Sequence, residues 1–418
     1  MPDQDLIAGL DIGSTAIRLV VGQKNQDPDQ PIHIIGAAEV PAEGINRGVI
    51  ASIEEAVSSI SACLEKAERM IGVPINSAWV GISGSHITSQ ESRGVIAVGR
   101  SNGEISEEDI ERAIEAARTV ATPPNYEILH VIPKSFTVDG QTGIKDPIGM
   151  TGVRLEVDTQ IIQGLSSQIK NLTKAVYRPG IDIQDLVLSI LATSEAVLSN
   201  RQKELGVAVV DIGGATTNLV VFEEGDILHT AVLPIGSDHI TSDIAIGLRI
   251  SIDVAEKIKL EYGAASADKI GKRDEIDIGE LEGTESNFIS KKYVAEIIEA
   301  RVEEIFDKID AELKKIDRSG KLPAGVVLTG GGAKLPGLIE ATKKRLKLPA
   351  SLGKPTEITS AIDKVNDLAF CTAVGLVLWG NQLESQRHLG SLAKIFSRLP
   401  NLRSASSQIK KWFKKIIP

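Results

Sequence analysis

At 418 residues, 42% hydrophobic and 24% charged, the chain is long enough for several covered cores and has the make-up of a globular protein, not a disordered or fibrous one. Its longest apolar stretch, Ala369 to Gly380, falls short of the roughly 20 residues a bilayer span needs, and MPDQDLIAGLDIG lacks the basic start of a signal peptide. The net charge of −10 is uneven: eight Lys and Arg and no acidic residue follow Glu384, leaving an acidic body with a basic tail suited to an anionic surface.

In chain order, residues 5–40 predict three strands, LIAGLDI, AIRLVVG and IHIIGAAEV. Apolar residues at helical spacing over 53–71 predict a helix, and SAWVGIS (77–83) returns to strand. From about Gly84 to Gly164 the texture changes. ITSQESRGVIAV reads as strand, Ser106 and Asp109 stand at capping-box spacing before a helix, and ATPPN (121–125) breaks it. Strand character resumes in ILHVIPKSFTVDG and VRLEVDTQII. This block, 84–164, is expected to be a small α/β subdomain inserted into a first lobe whose core is 1–83 and 165–199.

Helical residues 166–178 and the segment 181–199 then lead to a second lobe. Its core is expected at 200–236 and 325–385, with an outer subdomain at 237–324. That subdomain holds one or two helices over 239–262, a polar loop-rich stretch over 263–290 and a long amphipathic helix over 291–317. Alternation of strands with helices predicts a two-lobed α/β fold with mostly covered sheets. Cys63 and Cys371 show no metal or redox spacing and point to a reducing compartment; the six histidines are scattered, against a histidine metal site.

The sharpest signal is a duplication. LIAGLDIGSTAIRLVVG (6–22) returns as GVAVVDIGGATTNLVVF (206–222), so that Asp11, Ile12, Gly13, Leu19, Val20 and Val21 recur as Asp211, Ile212, Gly213, Leu219, Val220 and Val221. Each copy suits a hairpin. Its turn, Gly13-Ser14-Thr15 or Gly213-Gly214-Ala215-Thr216-Thr217, offers backbone N–H groups, hydroxyls and room for phosphate oxygens. Two such turns face to face would grip a polyphosphate. Bare Asp11 and Asp211 would repel it, so their expected role is to hold magnesium, largely through water.

One DIG turn alone is more often a plain bend; two of them, with Gly330-Gly331-Gly332 after an apolar strand, favour a nucleotide clamp. No Walker A motif occurs, and Gly81-Ile82-Ser83-Gly84 lacks the spacing of a nucleophile elbow.

At the other end, Ile409, Trp412, Phe413, Ile416 and Ile417 recur at helical spacing with Lys410, Lys411, Lys414 and Lys415 opposite. Residues 408–418 therefore predict an amphipathic membrane-targeting helix on a flexible basic linker, 386–407. Each buried apolar side chain contributes up to ~1.5–3 kcal/mol and each lysine near anionic lipid ~1 kcal/mol. Shorter than the ~12–15 residues stable in water, the helix is expected to fold on binding. The competing reading packs it on the chain's own body or on a partner protein. Leu392, Ile395, Phe396 and Leu399 form a second apolar stripe of unassigned role.

The two hairpins and TGGGAKLPGL (329–338) resemble the phosphate-1, phosphate-2 and adenosine motifs of the actin/Hsp70/sugar-kinase superfamily. Within it the chain is similar, over almost its whole length, to the FtsA family of bacterial cell division. EILHVIPKSFTVDGQTGIKDPIGMTGVRLEV (127–157) resembles that family's inserted subdomain, and AEKIKLEYG (255–263) its AExxKxxYG helix. The resemblance implies a two-lobed actin-like ATPase fold binding ATP with Mg2+ between its lobes. It also implies self-assembly into filaments and attachment of the tubulin-like FtsZ, with other divisome proteins, to the cytoplasmic side of the cell membrane at the division site. No nucleic-acid partner is expected.

Carried over by match, Asp11, Gly13, Ser14 and Thr15 would contact the first phosphate face, and Asp211, Gly213, Gly214, Thr216 and Thr217 the second. Glu256 and Lys259 would face ribose and adenine, and Gly330, Gly331 and Gly332 would lie under the nucleoside. The insert would serve filament contacts and 237–324 would dock the FtsZ tail. Three departures stand out. Ala215 replaces a glycine common in the second turn. Ala16 stands where the family often has lysine, with Arg18 either a compensating cation or a surface residue. Around Ser189-Ile190-Leu191-Ala192 no Glu or Gln is placed to position a water, and Glu195 reads as structural, so at most a weak ATPase is expected. A PilM-like pilus-assembly scaffold and a soluble sugar-kinase-like enzyme are the competing readings. The first would not be expected to end in a lysine-rich helix, and the second lacks a base for a hydroxyl.

Overall fold

The computed structural model describes residues 6–24, 30–99, 102–121, 123–283 and 285–396. The terminal helix expected at 408–418, with Ile409, Trp412, Phe413 and the lysines, lies outside them. Helical backbone runs to Phe396, into the stretch expected to be a linker.

Apolar, β-branched runs covered on both sides make strands, and both duplicated segments do so. In the first lobe, Leu6–Ile12 and Ala16–Gln23 pair antiparallel and Ile32–Pro41 continues the meander. On the other flank of Leu6–Ile12, Ser77–Ile82 and then Asp182–Leu188 add in parallel. The crossover to Ser77–Ile82 carries the helix Ile53–Ile71, whose inward face buries Ala56, Ile60, Cys63, Leu64 and Ala67. The second lobe repeats the order: Asp226–Leu233, Thr217–Glu223, Val207–Ile212, Val326–Thr329, Ala350–Leu352. The duplication thus extends from two hairpins to two whole sheets.

The stretch 325–385, expected to be second-lobe core throughout, is so only in its first part: from Ile358 the chain returns to the first lobe. Ile358–Ser360 pairs in parallel with Ile32–Pro41, and the helix Cys371–Phe396 packs on Leu6–Ile12 and on the helix Ser189–Val197. A Cβ at Gly375 would lie 1.9 Å from the Ala192 carbonyl oxygen, so only glycine admits this approach. The apolar stretch Ala369–Gly380 sits here, with Val374, Leu376, Val377 and Trp379 buried. No helix among the described residues is long and apolar enough to cross a membrane.

Within 84–164, a sheet of order Ile87–Ala97, Arg154–Leu165, Tyr126–Val138, Gln141–Ile144 carries the helix Glu107–Ala121 on one side. The Ser106 N–H donates to Asp109, the side-chain half of the capping box that the spacing predicts, while the Ser106 hydroxyl donates to the same carboxylate instead of accepting from the Asp109 N–H. Phe136, Val138, Leu155 and Val157 form a small core with Ala113 and Ala117, while Ile87, Leu129, Ile132 and Ile162 join the first lobe's core.

In the outer subdomain, Arg249 in left-handed conformation (φ 56°) divides 239–262 into two helices, Ser237–Leu248 and Ile252–Tyr262. The loop-rich stretch contains a short ribbon, Glu275–Asp277 with Phe288–Ser290. The long helix Lys291–Lys315 buries Val294, Ile298, Val302, Ile305, Ile309 and Leu313 along one stripe.

Candidate functional site

The two hairpins meet at a cleft between the lobes, around a cavity of about 410 Å³ lined from both sides. Their geometry is the same. The Gly13 N–H donates to Ala16 O (3.2 Å), the Gly213 N–H to Thr216 O (2.9 Å). Strand register sets Asp11 directly opposite Arg18, and Asp211 directly opposite Asn218. Opposed residues share a face of the sheet, so Arg18 and Asn218 accompany the two carboxylates into the cavity lining.

Burial pushes the Asp11 carboxyl up to about 7, with Arg18 opposing the rise and the charge of Asp211 adding to it. Burial likewise pushes Asp211 up to about 6, against Arg18 and a hydrogen bond from Asn218. Two carboxyls that resist ionising beside each other are a fitting seat for a divalent cation, which would restore their charge. No group of three or more His, Cys, Asp or Glu among the described residues surrounds a metal position. The donor set therefore fits a hydrated magnesium ion rather than an all-protein cage.

The turns are shaped by what a side chain would strike. A Cβ on Gly214 would lie 2.0 Å from Thr15 Oγ1 of the opposite lobe; one on Gly330 (φ 86°) would lie 2.2 Å from Asp211 Oδ1. A Cβ on Gly332 would press on Ile212, whereas Gly331 faces open space. Ser14 Oγ accepts from the Gly48 N–H at 2.9 Å, and Thr15 is hydrogen-bonded to Asp238 across the cleft. Thr216 lines the cavity with Gly213 and Gly214.

Thr217 departs from expectation. Fully buried, its hydroxyl donates to Ile235 O at 2.8 Å, and strand alternation turns it away from the cavity that Thr216 and Asn218 line.

Also in the cavity lining, Lys259 Nζ lies 2.7 Å from Glu256 and donates to Thr241 Oγ1 at 2.8 Å, with Leu260, Leu335 and Pro336 among the other lining residues. Charged edge and apolar wall together suit a nucleoside. Gly330, Gly331 and Gly332 complete this lining.

Ala16 and Ala215 both line the cavity, and so does Arg18, with 16% of its side chain exposed. Arg18 is therefore a cleft residue. Ser189 reaches the cavity too, but Glu195 does not; it is buried in an ion pair with Lys203 at 2.8 Å.

Three residues that join the lobes escaped sequence reasoning: Ser83, Asn218 and Asp238. The Ser83 hydroxyl donates to Asn218 Oδ1 at 2.6 Å, first lobe to second. Asp238 opens the helix Ser237–Leu248, whose first N–H groups donate to the carbonyls of Gly213 and Gly214. The signals were the place of Asn218 in the repeat, matching Arg18, and a Gly-Ser-Asp run between strand and helix.

The family model for “Cell division protein FtsA” matches residues 208–375, and the one for the “SHS2 domain inserted in FTSA” matches 84–163. The chain is 40% identical to the cell division protein FtsA of Bacillus subtilis, over 90% of this chain and 84% of that one. It is 37% identical to that of Pseudomonas aeruginosa (91% and 90%) and 32% identical to that of Escherichia coli K12 (99% and 98%). Among solved structures, the PilM-PilN type IV pilus biogenesis complex aligns with a TM-score of 0.66 at 18% identity, covering 90% of this chain and 98% of that one. MreB5 of Spiroplasma citri bound to ADP aligns at 0.56 and 13% identity, covering 93% and 99%. These two share the fold alone, which is the actin-like one. The chain belongs to the FtsA family of cell division proteins.

Proposed function

We propose that the cleft binds ATP with a hydrated magnesium ion, and that the protein assembles into actin-like filaments on the cytoplasmic face of the cell membrane, where it tethers FtsZ. The observation that carries this reading is the meeting of two glycine turns, each with a buried carboxylate, on one cavity. Gly13, Ser14 and Thr15 would approach the phosphates from one wall, and Gly213, Gly214 and Thr216 from the other. Asp11 and Asp211 would hold the ion through water. When bound, the ion supplies charge compensation between these carboxylates and the phosphates. Glu256 and Lys259 would orient the sugar and base, with the triple glycine beneath them.

The absence of a Glu or Gln near Ser189 among the cavity-lining residues supports slow turnover. Under this reading 84–164 makes filament contacts, 237–324 receives the FtsZ tail, and Ile409–Ile417 with its lysines lies in the anionic membrane surface. Co-sedimentation with anionic vesicles, alongside ATP binding, tests it. Deleting 408–418 should abolish sedimentation and leave ATP affinity unchanged; full sedimentation after the deletion overturns the anchor. Electron microscopy on anionic lipid monolayers with ATP should show filaments.

A further inference from the structure

The inserted subdomain grows out of the first lobe but also touches the second. Its strands Ile87–Ala97 and Tyr126–Val138 pack on Asp226–Leu233, the edge strand of the second lobe's sheet. Two polar contacts mark this seam. In its buried middle, Gln160 Nε2 reaches Thr230 Oγ1 at 3.5 Å. At its exposed end stands Lys145, just past the insert's strand Gln141–Ile144. Its Nζ donates to the Glu224 carbonyl at 2.7 Å and lies 3.1 and 3.4 Å from the carboxylates of Glu224 and Asp226.

The Lys145 contact falls on a turn tied to the cleft. Glu224 (φ 52°) and Gly225 (φ 81°) both have the positive φ that the central pair of a tight hairpin turn requires. That turn joins Asp226–Leu233 to Thr217–Glu223, the strand that starts at the second glycine turn and carries Asn218. One end of this strand lines the cavity and the insert holds the other. The two seam contacts differ in strength. The Gln160 bond is at the outer limit of length, and Gln160 Oε1 has no partner among the described residues. Lys145 meets three oxygens.

We propose that the insert is a strap across the lobes: Lys145, fastened to the Glu224-Gly225 turn, restrains opening of the cleft and so the entry and exit of its occupant. This rests on the nucleotide reading above. Opening a two-lobed cleft moves one lobe against the other by hinge and shear, and every bridging contact must shift or break. Ser83 with Asn218 and Thr15 with Asp238 bridge at the cavity itself. Lys145 bridges outside the cavity lining, so whatever displaces it loosens the cleft without entering it.

The experiment times release of a fluorescent ATP analogue from the full chain in magnesium, chased with unlabelled ATP. Lys145→Glu sets a third carboxylate against Glu224 and Asp226 and should quicken release roughly fivefold. Exchanging the charges, Lys145→Glu with Asp226→Lys, should bring the rate back towards wild type. Lys145→Cys with Asp226→Cys, joined by a bismaleimide that contains a reducible link, should slow release roughly tenfold. Cleaving the link should restore the rate, which a merely structural contact would not do. Cys63 and Cys371 are buried and leave the reagent to the new pair. Thermal unfolding checks each fold; if Lys145→Glu is not folded, the joined and cleaved forms decide. A joined form that releases the analogue as fast as its cleaved form overturns the strap alone, as does a folded Lys145→Glu variant within about twofold of wild type. A wild type that does not bind the analogue overturns the nucleotide reading, and the strap's role with it.

Discussion

The two hairpins share strand register, turn closure and an inward carboxylate, yet they are stabilised differently. Across from Asp11 stands a cation braced by Glu39 and Phe370; across from Asp211 stands Asn218, hydrogen-bonded to that carboxylate and to Ser83 of the other lobe. The first turn leans on its own lobe through Ser14 and Gly48. The second leans on the helix Ser237–Leu248, through the N–H groups of Ser237 and Asp238. A duplicated backbone therefore fixes where charge can be placed, and the residue one strand over decides which charge it is.

The largest expected effect breaks that comparison at the aspartates. Both carboxyls titrate above their ordinary value of 3.8 in the folded chain, Asp11 at about 7 and Asp211 at about 6. In the nucleotide- and metal-free protein they favour the fold below about pH 4, and that contribution is lost as pH rises towards 7. Asp11→Asn should remove roughly 4 kcal/mol of this loss and Asp211→Asn roughly 3 kcal/mol. Urea unfolding in chelator from pH 5 to 8 checks it; a wild-type pH slope no steeper than that of the variants refutes it.

Next in size is the triple glycine beneath the second hairpin. Gly330→Ala sets a methyl against Asp211 and Ile212 at a positive φ and should cost about 3 kcal/mol. Gly331→Ala, facing open space, should change stability by less than about 0.5 kcal/mol. Equal costs in denaturant unfolding would contradict the geometry. The smallest effect tests the lobe bridge: Ser83→Ala removes one hydrogen bond to Asn218 and should cost about 1 kcal/mol. An unchanged unfolding midpoint would mean that this contact contributes nothing.

Sequence reading reached the cleft because the repeat spells out strand, turn and strand in contiguous residues. Asp11, Asp211 and the glycines lie in those segments and all line one cavity. What stayed hidden depends on pairing across strands or lobes. Thr217 sits beside Thr216 in sequence, but alternation turns its hydroxyl inward. Arg18 could not be told from a surface residue until its register with Asp11 was known, and Asp238 reaches the site from a helix beyond the hairpin. The division of 239–262 turned on one left-handed residue, Arg249, which no periodicity marks.

The insert has one further consequence, mechanical in kind. It enters and leaves the first lobe on paired strands, with Ile87 beside Gly164. Its outer half has its own apolar cluster, while Ile87, Leu129, Ile132 and Ile162 at its root merge with the body. A load applied at its tip meets a braced arm instead of a loose joint: its root shares the core of the sheet that carries Asp11, and Lys145, paired with Glu224 and Asp226, ties it to the second lobe as well. Pulling on this arm is thus pulling on the wall of the cleft.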